Sequence, residues 1–389
     1  MRLGAVLAAA LFLLYPTSSP RCAQDESFTP LRDELRSWVI YLSSDDMKGR
    51  AIASPELEKA AQWIAQTYAS IGLRPAVGEA GYFHEFTTKM GDTEIVQKNV
   101  IGVIGPDESR CHVLVSAHYD HIGVGSDLQH FNDPQAILLN AHPPHASEDH
   151  RPDDWIYNGA DDNASGVAVM MGIAATLNRT DSLKAGACKV VFIAFTGEEV
   201  ELFGSRKYAR HPVFPLDEMV MNLNLEMVGH KEKLGTRALW MTSDRWTNFF
   251  DIMKRLGKER GWRVLGERLK KFNLWAHADS LSFLVMAAEG DETVYGVPAH
   301  TISTWGGETH YHEPGDEWAS LDYKNMEGLT LFLSEVIRRV AASEITVQFV
   351  DEPVKAYGKS VSLKRFRAGC LYGAERDACP DPPGATPPE

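Results

Sequence analysis

The chain is short of positive charge. It carries 39 Lys and Arg against 53 Asp and Glu, a formal net charge of −14. Nucleic acids and anionic membranes both recruit basic surface, so neither is an expected partner. Long apolar runs are missing beyond the first residues; the longest are strand-sized, which excludes a later membrane-spanning helix. The sequence also lacks a G-x-S-x-G elbow, an H-E-x-x-H helix and a Walker loop, and none of its cysteines sits in a recognisable nucleophile context. Cysteine is scarce, five in 389 residues. Cys370 and Cys379 lie close together and can pair in an oxidising compartment. Cys111 and Cys188 each begin an apolar strand, so buried free thiols are expected there, with pairing open if the two strands are neighbours.

The one apolar segment of note is the first. "MRLGAVLAAALFLLYPTSSPRCAQDE" has one Arg, an apolar core and then small and polar residues. That is the layout of a secretory signal peptide, with Ala23 as its natural last residue. Its core is too short to span a bilayer. The expectation is a signal over 1–23 and an exported protein, secreted or periplasmic, with no membrane attachment after cleavage. Roughly 365 residues remain, enough for one large α/β domain or two ordinary ones. Residues 24–345 are read as the catalytic domain and 346–389 as an extension ending in the unfolded, proline-rich "CPDPPGATPPE".

The central region alternates. "HVLVSAHYD" (112–120) and "KVVFIAF" (189–195) read as strands, "NASGVAVMMGIAATLN" (163–178) as a helix between them, and "MVMNLNLEMVG" (219–229) as a further strand. Ser54, Pro55 and Gly72 punctuate a helix over 54–75, and Met326, Leu329, Phe332, Val336 and Val340 mark a final amphipathic helix. Alternation with buried strands predicts an α/β fold: a mainly parallel central sheet flanked by helices in three layers.

In such sheets ligands bind beyond the carboxyl ends of the strands. Three strands end in potential metal ligands: His118 with Asp120, Glu198-Glu199, and Glu226. "YNGADDNASG" adds Asp161 and Asp162, and "THYHEPGDEW" adds His310 and His312. Singly, each reads as a capping residue, a turn or a satisfied histidine. Together at strand ends they point to a metal, and imidazole with carboxylate but no cysteine suits zinc in an open, catalytic arrangement. Residues two apart in an extended chain share a side, so Asp120 is expected to accept the second ring N–H of His118. In "GEE", one glutamate can hold metal while its neighbour takes a proton from water.

With these residues in view, the chain resembles the secreted dizinc aminopeptidase family, which includes bacterial leucyl-type aminopeptidases and glutamate carboxypeptidase II. "SAHYDHIG", "NGADDNASG", "FTGEEVELFGS", "NLNLEMVG" and "YHEPGDE" occur in the family's order, and "SDDMKGRAIASPELEKAAQWIAQTYASIGLRP" resembles its lead-in. The resemblance implies the zinc-exopeptidase fold, with His118 and Glu226 on one zinc, Glu199 and His312 on a second, and Asp162 bridging them. Asp162 is preferred to Asp161 because the family's bridging aspartate directly precedes the Asn-or-Asp of this motif. A cis peptide is implied at Asp162–Asn163. Glu198 is implied as general base, Tyr311 as oxyanion stabiliser and Asp120 as the partner behind the ligands.

Three departures stand out. The family most often has Asp where this chain has Glu226. About forty residues separate Asp120 from Asp162, including a histidine-rich insert read as a solvated loop without ligand role. "HADSLSF" keeps only Asp279 of the family's Ser-Asp-His, and its role is left open. The implied activity is removal of N-terminal residues from peptides with a free N-terminus. Alternatives are a carboxypeptidase, a dipeptidase or a single-zinc glutaminyl cyclase on the same fold, or a non-catalytic binding protein on a peptidase scaffold.

Overall fold

The structure is a computed structural model. It describes residues 31–90, 92–125, 154–230, 235–267, 277–286, 294–307 and 310–350, with 354–356 and 359–361. Residues 1–23, expected as a signal, nearly all of the histidine-rich insert, and Cys370 and Cys379 lie outside the described residues.

Two helices open the described chain: α1, Leu31–Leu42, and α2, Pro55–Ser70. Ser54 caps α2 as its sequence predicts, its hydroxyl accepting the Leu57 amide at 3.0 Å. Strands β1 (Arg74–Pro75), β2 (Phe83–Met90) and β3 (Thr93–Ile104) follow, then β4 (His112–His118). Next come α3 (Gly166–Arg179), β5 (Lys189–Phe195), α4 (Phe203–Arg210) and β6 (Met219–Leu225). The chain continues through β7 (Ala238–Met241), α5 (Phe249–Arg260), β8 (Arg263–Gly266), β9 (Ala299–Ser303) and α6 (Tyr323–Ala341).

The nine strands form one mixed sheet in the order β1-β3-β5-β4-β6-β9-β7-β8, with β2 paired to β3. Its centre, β5-β4-β6-β9, is parallel. Both faces are covered, and the strands record it. Along β5, Val190, Phe192 and Ala194 join the core under α1, α2, α3 and α6, while Val191, Ile193 and Phe195 join a second core with Tyr208 and Ala209 of α4. This is why "KVVFIAF" shows no apolar–polar alternation: it is buried on both sides.

Two expectations are corrected. Cys111 and Cys188 are not free thiols but a disulfide with Cα atoms 4.8 Å apart. They precede β4 and β5, which are adjacent parallel strands in a register that pairs His112 with Lys189, so the cysteines come side by side. The helix read as beginning at 163 begins at Gly166, because residues 160–165 form an irregular turn in which Asp162 and Asn163 are non-helical. The bond between those two residues is cis.

A candidate metal centre at the carboxyl edge of the sheet

His118 is the last residue of β4, Glu198 and Glu199 follow β5, and Glu226 follows β6, so three neighbouring parallel strands deliver their polar residues to one edge. The irregular turn before α3 brings Asp162 there, and the loop before α6 brings Tyr311 and His312. His118 Nε2 lies 2.8 Å from Glu226 Oε1 and 3.3 Å from Asp162 Oδ1. His312 Nε2 lies 3.2 Å from both Asp162 Oδ2 and Glu199 Oε2. The two oxygens of Asp162 therefore face different imidazoles. Glu198 Oε2 is 3.9 Å from His118 Nε2. The Tyr311 ring stacks on His312 with centroids 3.9 Å apart.

Asp120 differs from its expected part. His118 Nδ1 lies 3.2 Å from the backbone carbonyl oxygen of Asp120 and 3.7 Å from its carboxylate. β4 ends at His118, so the alternation of an extended chain no longer applies two residues later. The Asp120 carboxylate instead accepts the amides of Glu198 at 3.2 Å and Glu199 at 3.3 Å. It holds the turn that carries both glutamates.

Several residues here have parts that sequence reasoning did not assign. Asp316, in the segment that read as an ordinary turn, accepts the amides of Asp161 at 2.8 Å and Asp162 at 2.9 Å. Asp161 accepts the Gly229 amide at 2.7 Å, and Asn163 both donates to the Leu225 carbonyl at 2.8 Å and accepts the Met227 amide at 3.1 Å. These bonds lock the Asp162 turn to the Glu226 loop. Arg50 is fully buried and donates to the carbonyls of Tyr119 at 2.8 Å, Asn158 at 2.9 Å, Gly159 at 3.0 Å, and Leu42. His121, 1% exposed, sets Nδ1 2.8 Å from Glu199 Oε1. Its only sequence signal was its place inside "SAHYDHIG". Gly159 makes room for that ring: at φ +57°, an added Cβ would stand 2.5 Å from His121 Cδ2 and 2.3 Å from the Asp162 carbonyl oxygen.

The electrostatics show what the cluster is short of. Burial, then the negative charges of Glu226, Glu199 and Asp279, push the Glu198 carboxyl well above the ordinary carboxylate range. Burial alone would lower the two imidazoles, yet the carboxylates around them drive His118 well up and His312 to about 10. Asp279 is buried within electrostatic reach of His118 and Glu226, and burial pushes its carboxyl up. Packed carboxylates that draw protons onto neighbouring histidines call for a cation, and a divalent ion would take over from those protons. His118, Asp162 and Glu226 have donor atoms within 4.8 Å of one another, as do His121, Asp162 and Glu199. This imidazole and carboxylate set fits zinc.

The model of peptidase family M28 matches residues 99–337. Aminopeptidase YwaD of Bacillus subtilis (strain 168) is 26% identical over 301 residues, covering 76% of this chain and 53% of that protein, so the chain spans about half the length of that relative. The fold is shared with the LapA aminopeptidase of Legionella pneumophila, at 16% identity and a TM-score of 0.55 over 80% of this chain and 72% of that one. It is shared with a Zn-dependent exopeptidase of Parabacteroides distasonis ATCC 8503, at 17% identity and a TM-score of 0.54 over 79% and 97%. Porphyromonas gingivalis glutaminyl cyclase matches at 15% identity and a TM-score of 0.55 over 79% and 98%. With the family model spanning more than half of the chain, the protein belongs to peptidase family M28.

Proposed function

We propose that this protein is an exported zinc exopeptidase that removes N-terminal residues from peptides, using two zinc ions. The observation that carries the reading is Asp162, whose Oδ1 faces His118 at 3.3 Å while its Oδ2 faces His312 at 3.2 Å. His118, Asp162 and Glu226 would hold one ion; Asp162, Glu199 and His312 would hold the other. The extra methylene of Glu226 is no obstacle, since its Oε1 already reaches within 2.8 Å of His118 Nε2.

Zinc, when bound, supplies Lewis acidity that polarises a carbonyl and eases ionisation of water. The chain's own residues do the rest. Glu198 accepts the proton of the attacking water and passes it to the leaving amine, with the Asp120 carboxylate fixing its backbone. Tyr311 keeps its hydroxyl proton, because burial and the surrounding carboxylates push its pKa well up, so it can donate a hydrogen bond to the developing oxyanion. The acidic cluster would attract the ammonium group of a peptide's free N-terminus, which favours exopeptidase action.

The Cys111–Cys188 disulfide supports export, since structural disulfides persist in oxidising compartments. Among the described residues, no helix is long and apolar enough to cross a membrane. We place the catalytic domain at 24–345.

The test pairs wild type with Glu198→Gln on matched free-amine and N-acetylated peptides, with zinc measured on both proteins. Cleavage of free-amine peptides alone, and a loss of about 100-fold or more in the variant at unchanged zinc content, are the expected results. Retained turnover in the zinc-replete variant would remove Glu198 from its role. A product lighter by ammonia, with no residue removed, would indicate cyclase chemistry.

A further inference from the structure

We propose that His121 is a ligand of the second metal, binding through Nδ1 beside Asp162, Glu199 and His312. The inference rests on the metal-centre reading above and adds a donor to it. His121 is buried, with Nδ1 2.8 Å from Glu199 Oε1 and 3.9 Å from Asp162 Oδ2. The first of these spacings equals that between His118 Nε2 and Glu226 Oε1, the imidazole–carboxylate pair of the first site. Two donors each about 2.0–2.2 Å from one zinc stand about 2.8–3.6 Å apart at angles near 90–110°, so the shorter spacing suits a shared ion. The 3.9 Å span to Asp162 corresponds to a wider angle, as in a site with expanded coordination.

The surroundings point the ring the same way. The His121 and His312 rings lie edge to face, centroids 5.7 Å apart, and each faces a different carboxylate oxygen of Glu199. The backbone is tied down as well: the His121 amide donates to the Arg50 carbonyl at 3.2 Å, and the absent side chain of Gly159 leaves space for the ring. His118 ends β4 and His121 follows it by three residues, so the strand end and the loop after it would supply an imidazole to each ion. The two sites would then be unequal, with three protein donors on the first and four on the second.

Proton NMR of the full-length protein loaded with two cobalt(II) ions decides the matter by counting. Each coordinated imidazole contributes one strongly shifted, solvent-exchangeable N–H signal. The expectation is three in the wild type, from His118, His121 and His312, and two in His121→Gln. Two in the wild type would overturn the proposal and leave His121 a hydrogen-bond donor to Glu199, with the metal centre itself intact. Failure of the wild type to bind cobalt or zinc at all would instead remove the metal-centre reading, and this inference with it. The wild-type count stands even if the variant folds poorly.

Discussion

Asp120 and Asp316 hold the two sides of the site by the same device: each buried carboxylate accepts two successive backbone amides, Asp120 those of Glu198 and Glu199, Asp316 those of Asp161 and Asp162. A carboxylate can do this because both of its oxygens accept. An asparagine cannot, since its NH2 would meet a backbone N–H. Asp316→Asn should therefore lose one hydrogen bond and set two donors against each other in a buried turn, costing about 2–4 kcal/mol. Zinc affinity should fall with it, because the turn carries Asp162. Denaturant unfolding and zinc titration check both; a variant within about 0.5 kcal/mol of wild type would show that the turn holds without Asp316.

Arg50 does with carbonyls what the two aspartates do with amides. Its guanidinium joins Leu42, Tyr119, Asn158 and Gly159, tying the end of α1 to the segments just before Asp120 and Asp161. Burial lowers its pKa to about 10, offset by Asp120, Asp316, Asp162 and Glu199, so it stays charged at neutral pH. Arg50→Met should leave these carbonyls unsatisfied and cost about 3–5 kcal/mol. Arg50→Lys keeps the charge but not the planar fork, and should fall between the two. Equal stability of wild type and Arg50→Lys by denaturant unfolding would mean that charge alone matters.

The contrast between legible and hidden residues follows from where their partners lie. Glu199, Glu226 and His312 announce themselves because strand ends and loop motifs mark them locally, and the parallel topology then brings them together. Arg50 sits in "SDDMKGR", where no neighbouring residue marks it for burial; its burial depends on carbonyls as distant in sequence as Gly159. Asp316 lies in a segment that satisfies every rule for a turn, and its amide partners come from a turn some 155 residues earlier. The disulfide needed the register of β4 against β5, which no spacing along the chain specifies.

That disulfide joins the amino-terminal ends of the strands whose carboxyl ends carry the site, so stability and catalysis should separate there. It closes a loop with a sequence separation of 77. The loop-entropy relation then gives a stabilisation of about 4.5 kcal/mol at 25 °C. The Cys111→Ser, Cys188→Ser double variant should lose about 2–5 kcal/mol in denaturant unfolding. Its turnover and zinc content at 25 °C should stay those of wild type while it remains folded. Loss of zinc in the folded double variant would mean that strain crosses the whole length of β4 and β5.

His300 offers a pH test away from the metal ligands. The ring is fully buried on β9, its Nε2 2.8 Å from Thr247 Oγ1 and its Nδ1 3.1 Å from the Thr242 carbonyl oxygen. Burial lowers its pKa from 6.5 to about 4, against a smaller raising effect of the Thr242 carbonyl. The folded state thus binds this proton less readily than the unfolded chain. Its contribution to stability is fully present above the unfolded value of 6.5 and is lost as pH falls through the folded value near 4. Between pH 7 and pH 4.5 the loss from this residue should reach about 2–3 kcal/mol, at 1.36 kcal/mol for each pKa unit. Other groups titrate in the same window, so the comparison is with His300→Gln, which removes this one ring. The variant should be less stable at pH 7 and should lose less stability than wild type on acidification. Parallel pH profiles for the two proteins would mean that His300 takes up its proton in the folded state as easily as in the unfolded chain.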